Sequence, residues 1–138
     1  MREFETEKTL RYAYILHVTS KTRNSRYYGA REVLYPCHCK YIVKRYAQNL
    51  KGIGSKFLKT YFPYSRKKLV FVKTIFGSEF DVLKLKKELK ALTKADKQAL
   101  IASDENDLVG LNIYKNKLIL KKYNNRDEQI VLDFGKFL

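Results

Sequence analysis

Hydrophobic residues near the start of the chain follow an alternating pattern. Two segments, 11–19 and 26–31, are rich in β-branched and aromatic residues and flank the polar stretch 20–25. This pattern predicts a β-hairpin with a long loop. Successive side chains of a strand point to opposite faces. One face of the first strand should therefore carry Ala13, Ile15 and His17, and the other Tyr12, Tyr14, Leu16 and Val18.

The central part of the chain changes to helical spacing. Apolar residues recur with the helical period over 39–50, after Pro36, which we interpret as a boundary between elements. A Gly-Ile-Gly sequence ends this pattern, and Ser55 is a suitable N-cap for a short helix over 56–61. The segment 69–76 is apolar on both faces, which is typical of a central strand.

The second half of the chain contains two helix starts and a second hairpin. Ser78 and Asp81 form a capping-box pattern before an apolar stripe, and Thr93 resembles a second cap. We therefore expect one helix to end and another to begin near Thr93. The segments 116–123 and 128–134 flank a polar stretch and predict a C-terminal β-hairpin.

These elements predict an α/β fold with a small antiparallel sheet flanked by helices and an extra C-terminal β-hairpin. A chain of 138 residues is long enough for one domain with one core. We place the main domain at 1–115 and the hairpin extension at 116–138, packed on the same domain. No apolar run approaches the roughly 20 residues that cross a membrane, so we expect a cytoplasmic protein without a membrane partner.

Composition adds a strong electrostatic signal. The chain has 29 Lys and Arg against 14 Asp and Glu, a net charge of +15. Such an excess favours a polyanionic partner, of which nucleic acid is the commonest. The basic residues that we expect to line the path of a nucleic-acid backbone are Lys40, Lys44, Arg45, Lys56, Arg66, Lys67, Lys68 and Lys86. The sequence does not specify an oligomeric state.

The two cysteines, Cys37 and Cys39, are separated by a single residue, His38. This spacing is too short for the usual zinc ligand pair and would strain a disulfide. We therefore predict two free thiols. His38 is a candidate general base, because we expect it to follow the hairpin in a loop near Arg31.

The first hairpin also carries candidate chemistry. Tyr14 and Tyr27 would be brought side by side, and Arg31 follows closely. Phenols can move protons or position water, and a guanidinium can hold a phosphate by two parallel bonds. This combination favours a phosphodiester site. The alternative is that both tyrosines are ordinary strand aromatics in a chain with 11 tyrosines.

These residues resemble the GIY-YIG endonuclease family. Tyr12-Ala13-Tyr14 corresponds to its first triplet and Tyr27-Tyr28-Gly29 to its second. Three further segments are similar to motifs of the free-standing phage-type members, namely 52–59, 76–83 and 110–113. The resemblance covers roughly residues 10 to 115. For a phage-encoded member, the compartment would be the host bacterial cell.

The resemblance implies a Mg²⁺-dependent endonuclease that hydrolyses DNA. Its catalytic residues would be Tyr14, Tyr27, Arg31, Glu88 and Asn112. An ungapped count places the family's metal-binding glutamate on Lys86, which cannot hold the ion, and Glu88 stands two residues later. If Glu88 serves, it binds one Mg²⁺. If not, the chain is an inactive nucleic-acid-binding protein of the same fold. DNA is favoured over RNA, and a basic RNA-associated protein is a further alternative.

Overall fold

The computed structural model describes residues 5–20, 32–61 and 65–138. Within them the chain is a mixed α/β protein with two three-stranded antiparallel sheets and four α-helices. None of the described helices is long and apolar enough to cross a membrane. The elements in chain order are β1 Thr9–Thr19, β2 Glu32–Cys39, α1 Ile42–Leu50, α2 Lys56–Tyr61, β3 Arg66–Gly77, α3 Glu79–Ala91, α4 Lys94–Ile101, β4 Leu108–Asn112, β5 Lys117–Lys122, β6 Asn125–Asp133 and a 3₁₀ turn at Gly135–Phe137.

Strand β1 is the centre of the first sheet, whose order is β2-β1-β3. Tyr14 lies opposite Cys37 of β2 and Val72 of β3. The predicted alternation of β1 is confirmed for its buried residues, because each face belongs to a different core. The Tyr14 face packs against α1, α2 and the second sheet. The face of Ala13 and Ile15 packs against α3 and α4.

The partner of β1 along the β2 edge, within the described residues, is the segment Glu32–Cys39. The segment 26–31, expected as the second strand, lies outside the described residues, and the strand paired with β1 is β2. The interpretation of Pro36 as a boundary is wrong, since it lies inside β2 opposite Ile15. β2 is an edge strand, where a proline is tolerated because an outward-facing N–H is not needed for pairing. Helix α1 consequently begins at Ile42 rather than Cys39, and His38, which was expected in a loop, lies in β2 opposite Ala13.

The expectation that β3 is a central strand is wrong, because β3 forms an edge of its sheet. Its residues are apolar on both faces because the two cores cover both faces. The outer edge is covered by side chains. Asn106 accepts from the N–H of Val72 (3.1 Å) and donates to the carbonyl of Val70 (2.9 Å). Asp107 accepts from the N–H of Thr74 at 2.8 Å.

The predicted helix starts are confirmed. Ser78 and Asp81 form the reciprocal capping box of α3. Thr93 accepts from the N–H of Asp96 at 3.1 Å and begins α4. Helix α2 has the predicted bounds, and Ser55 accepts from the N–H of Leu58 at 3.3 Å.

The C-terminal hairpin is present as β5 and β6, and a strand that the sequence pattern does not reveal, β4, joins it. Because β4 lies before residue 115, this second sheet spans both predicted ranges of the chain. Asp107 links it to the first sheet: its N–H donates to the carbonyl of Val72 (2.7 Å), and its carbonyl accepts from the N–H of Lys121 (2.8 Å). Phe134 packs edge-on against Tyr46 of α1, with ring centroids 5.2 Å apart.

We predict that Asn106→Ala lowers the free energy of unfolding by about 2–4 kcal/mol, because neutral hydrogen bonds contribute roughly 1 kcal/mol each. The side chain of Asn106 bonds to the backbone of Val70, Val72, Ile101 and Leu108. Urea unfolding measures the change. Asp104→Ala, at an exposed position, is the control and should change stability by about 0.5 kcal/mol or less. An equal loss in both variants would contradict the role of Asn106.

Candidate functional site

A cleft of about 220 Å³ lies along the outer edge of β2, between α1 and α3. We name it the β2-edge cleft. Because the two helices pack on opposite faces of the sheet, each one reaches this edge from its own side of β2. The described residues that line it are Tyr35, Pro36, Cys37, His38, Arg45, Asn49, Gly54, Ser55 and Lys86.

Two cations from different helices meet in this cleft. Arg45 of α1 is fixed in place because its Nη2 donates to the carbonyl of Gly54 at 2.7 Å. Lys86 of α3 is half-buried and forms no salt bridge within the described residues. No Asp or Glu is among the described residues that line the cleft. The cleft therefore combines positive charge with little internal neutralisation.

Tyr14 lies beneath the cleft. Its side chain is fully buried, and its hydroxyl donates to Oδ1 of Asn49 at 2.8 Å. The hydroxyl does not open on the surface, because β1 is the central strand and α1 covers it. A catalytic role for Tyr14 stays a prediction from the resemblance alone. Burial, with a smaller contribution from Cys37, raises the pKa of Tyr14 well above its usual range. The phenol therefore stays protonated and acts as a fixed donor.

Asn49 is a candidate site residue that the sequence pattern did not identify. It is 1% exposed and lines the cleft on the buried stripe of α1, three residues after Tyr46 and seven after Ile42. Its Oδ1 is used by Tyr14, whereas its Nδ2 forms no hydrogen bond with another described residue. A polar residue on an apolar helical stripe was the signal that could have identified it.

Gly54 leaves the space that this amide occupies. A Cβ at position 54 would lie 2.5 Å from Nδ2 of Asn49. The carbonyl of Gly54 also holds Arg45, so one residue positions two donors of the cleft. The requirement here is for close approach rather than for an unusual backbone conformation.

The remaining wall of the cleft carries hydroxyl groups. The hydroxyl of Tyr35 lies 3.0 Å from Oγ of Ser55, and the Tyr35 ring stacks on Phe57 with centroids 5.2 Å apart. Burial raises the pKa of Tyr35, and the hydrogen bond with Ser55 opposes this rise. Both groups are thus neutral donors or acceptors near neutral pH.

A second, larger cleft of about 430 Å³ adjoins the first, and we name it the α1 cleft. The two clefts share His38 and Arg45. The α1 cleft adds Lys40 and Lys44, which the sequence predicts to bind nucleic acid, and the exposed ring of Tyr41. Lys40 lies 3.5 Å from carboxylates of both Glu5 and Glu7 and is partly neutralised. Lys44 is exposed and has no salt bridge in the part of the chain that the structure describes.

Other predicted site residues do not join these clefts. Tyr27 and Arg31 lie outside the described residues. Glu88 is exposed on α3 and, two residues from Lys86, points about 160° away from it around the helix. The structure therefore brings Lys86, and not Glu88, to the β2-edge cleft. Asn112 lies at the end of β4 in the second sheet, where its Oδ1 accepts from the N–H groups of Tyr114 and Lys115 at 3.1 Å.

The predicted cations also divide into two regions. The start of β3 carries Arg66, Lys67 and Lys68, with Arg66 opposite Thr19. Five residues along β1 separate this end from Tyr14, a distance of roughly 17 Å at 3.3–3.4 Å per residue. These three residues therefore form a separate basic region. Lys56 is exposed at the start of α2, next to Ser55 of the β2-edge cleft.

The β2-edge cleft does not fit Mg²⁺. This ion requires oxygen ligands, usually including a carboxylate, whereas Arg45 and Lys86 repel a cation. The described residues contain no group of three or more His, Cys, Asp or Glu side chains that could hold a metal ion. Magnesium binding by Glu88 stays a prediction from the resemblance alone.

Comparison of the chain with protein-family models, with curated proteins and with solved structures finds no match. A functional assignment therefore depends on the chemistry of the two clefts.

We predict that Gly54→Ala displaces Asn49 and lowers the free energy of unfolding by about 1–3 kcal/mol, as overpacking usually does. Gly110→Ala is a matched control, because its Cβ would meet only Cδ1 of Ile119 at 3.7 Å. Urea unfolding gives the stability change, and the NMR signals of the Asn49 side-chain amide report its displacement. If the two variants behave alike, Gly54 is not a packing constraint.

The free thiols provide a pH-dependent test of burial in the cleft wall. Burial raises the pKa of Cys37 to about 12, and the neighbouring Tyr14 hydroxyl and the charges of Lys86 and Arg45 only partly oppose this rise. Since burial disfavours the thiolate, the reactive form appears only at higher pH. Its fraction at pH 8 should be roughly a thousandfold below that of an exposed thiol.

In a Cys39→Ser variant, Ellman's reagent should therefore label Cys37 slowly in the folded protein at pH 8 and rapidly after unfolding in guanidinium chloride. Fast labelling of the folded variant would show that Cys37 is not held in a buried wall.

Proposed function

We propose that this protein binds nucleic acid through its phosphate groups, with DNA favoured over RNA, and that the two adjoining clefts form the binding surface. The observation that carries this proposal is the meeting of Arg45 and Lys86 in one cleft without a carboxylate among its described lining residues. Guanidinium and ammonium groups are the usual donors to phosphate oxygens.

The surrounding charge supports the same function. Among the described residues, four cations line the α1 cleft against two carboxylates, those of Glu5 and Glu79, and Lys44 extends the positive surface along α1. The whole chain carries a net charge of +15. Contacts of this kind release counterions and are largely independent of base sequence. Affinity should therefore fall steeply with salt.

The sheet β2-β1-β3 with helices on both faces supports the further proposal of a GIY-YIG-like fold, since this is the architecture that the resemblance implies. In this relationship Lys86 stands where the family has its metal-binding glutamate. A lysine at that position favours phosphate binding without metal-dependent cleavage. The proposed protein is accordingly an inactive relative, and Mg²⁺-dependent hydrolysis through Glu88 is the competing hypothesis.

We predict that Lys86→Gln weakens binding to a DNA duplex about tenfold, because it removes one charge-assisted phosphate contact. The slope of log affinity against log salt should fall by about one. Lys87→Gln is the matched control: it removes the same charge from an exposed position that does not line either cleft. Fluorescence anisotropy at several salt concentrations measures both quantities, and structured RNA of equal length tests the preference for DNA.

An equal loss of DNA affinity in the two lysine variants would indicate a general effect of charge and contradict the cleft as the binding site.

The enzymatic hypothesis is tested by plasmid nicking with Mg²⁺. Cleavage by the wild-type chain that is lost in Glu88→Gln would establish a nuclease and overturn the proposed inactive relative.

A further inference from the structure

The β2-edge cleft has a buried polar side chain at its base in addition to the cations in its wall. Asn49 is 1% exposed, and its Oδ1 is occupied by the hydroxyl of Tyr14. The amide therefore has its Nδ2 donors left for the cleft that it lines, and Nδ2 has no partner among the other described residues. A donor that faces the cleft without a protein partner can be satisfied there by a ligand acceptor or by water.

The orientation of this amide is fixed rather than adjustable. The Tyr14 phenol donates to Oδ1 and stays protonated, because burial raises its pKa well above the usual range. Gly54 lies against Nδ2 so closely that no side chain fits there. The same glycine holds Arg45 through its carbonyl at 2.7 Å. An amide and a guanidinium are thus held around one small space, and the Lys86 ammonium group lies at its wall.

We propose that the β2-edge cleft binds the terminal phosphomonoester of a nucleic-acid strand, with Arg45, Lys86 and Asn49 as donors to its oxygens. This inference rests on the proposed function and names the part of the nucleic acid that the cleft recognises. A phosphomonoester carries about −1.5 to −2 charges near neutral pH and presents three terminal oxygens. An internal phosphodiester carries one charge, so two cations match the terminal group better.

The size of the cleft agrees with a single phosphoryl group. Its volume of about 220 Å³ is below the range of roughly 300–1,000 Å³ that holds a drug-sized ligand. The nucleotide that carries the phosphate has room in the α1 cleft of about 430 Å³, which is reached past the shared residues His38 and Arg45. There the ring of Tyr41, 64% exposed, offers a face on which a terminal base can stack.

The proposal is tested with oligonucleotides of one sequence that carry an internal fluorophore and differ only at their ends: a 5′-phosphate, a 3′-phosphate, or hydroxyls at both ends. We expect one of the phosphorylated ends to bind the wild-type chain at least tenfold more tightly than the hydroxyl form. Lys86→Gln should abolish most of this difference, and Lys87→Gln should preserve it.

A second measurement does not depend on a variant. Inorganic phosphate, titrated into the ¹⁵N-labelled protein, should shift the Asn49 side-chain amide signals and compete with the phosphorylated oligonucleotide. Equal affinity for all three ends, with Lys86 still required for binding, would overturn the inference and leave the proposed function intact. Absence of any binding would overturn both. Phosphate binding that leaves the Asn49 signals unchanged would also overturn the assigned site.

Discussion

Both faces of strand β1 are buried, and this packing determines where the helices and the two clefts lie. One face carries Tyr14 into the core beneath α1, and the other carries Ala13 and Ile15 into the core beneath α3. Helices on opposite faces can meet only at an edge of the sheet, and the edge available to both is β2. The clefts are thus a geometric result of packing two cores against one strand. Their charged residues come from surfaces that the cores leave exposed.

The sign of the charge at position 86 determines whether the β2-edge cleft favours an anion or a cation. A carboxylate there would sit beside Arg45 and could recruit a divalent ion. Lys86 instead adds a second cation to a space whose floor is the neutral amide of Asn49. Two neighbouring cations are unfavourable in isolation, and an anion relieves their repulsion. The arrangement therefore favours a bound anion over the free cleft, which is the opposite of a metal site.

Local features of the fold could be predicted from the sequence, and long-range features could not. The caps at Ser78 and Thr93 depend on residues three positions away, so the pattern was sufficient. Pro36 in β2 was misinterpreted, because a proline is compatible with a strand only once that strand is known to be an edge. The pairing of β4 and the role of Asn49 depend on residues distant in the chain, and no local periodicity reports such contacts. The basic residues of the clefts were predicted as binding residues. Their separation from Arg66, Lys67 and Lys68 at the start of β3 could be found only from the register of the strands.

The Asn106 and Asp107 side chains have a consequence for how the molecule behaves among its copies. An open sheet edge with free N–H and carbonyl groups is a template on which a strand from another molecule can add. On β3 these two side chains occupy the groups of Val70, Val72 and Thr74, and on the opposite edge Pro36 interrupts the row of donors. Both edges of the first sheet therefore lack a continuous row of free backbone groups, which disfavours aggregation by strand addition at high protein concentration.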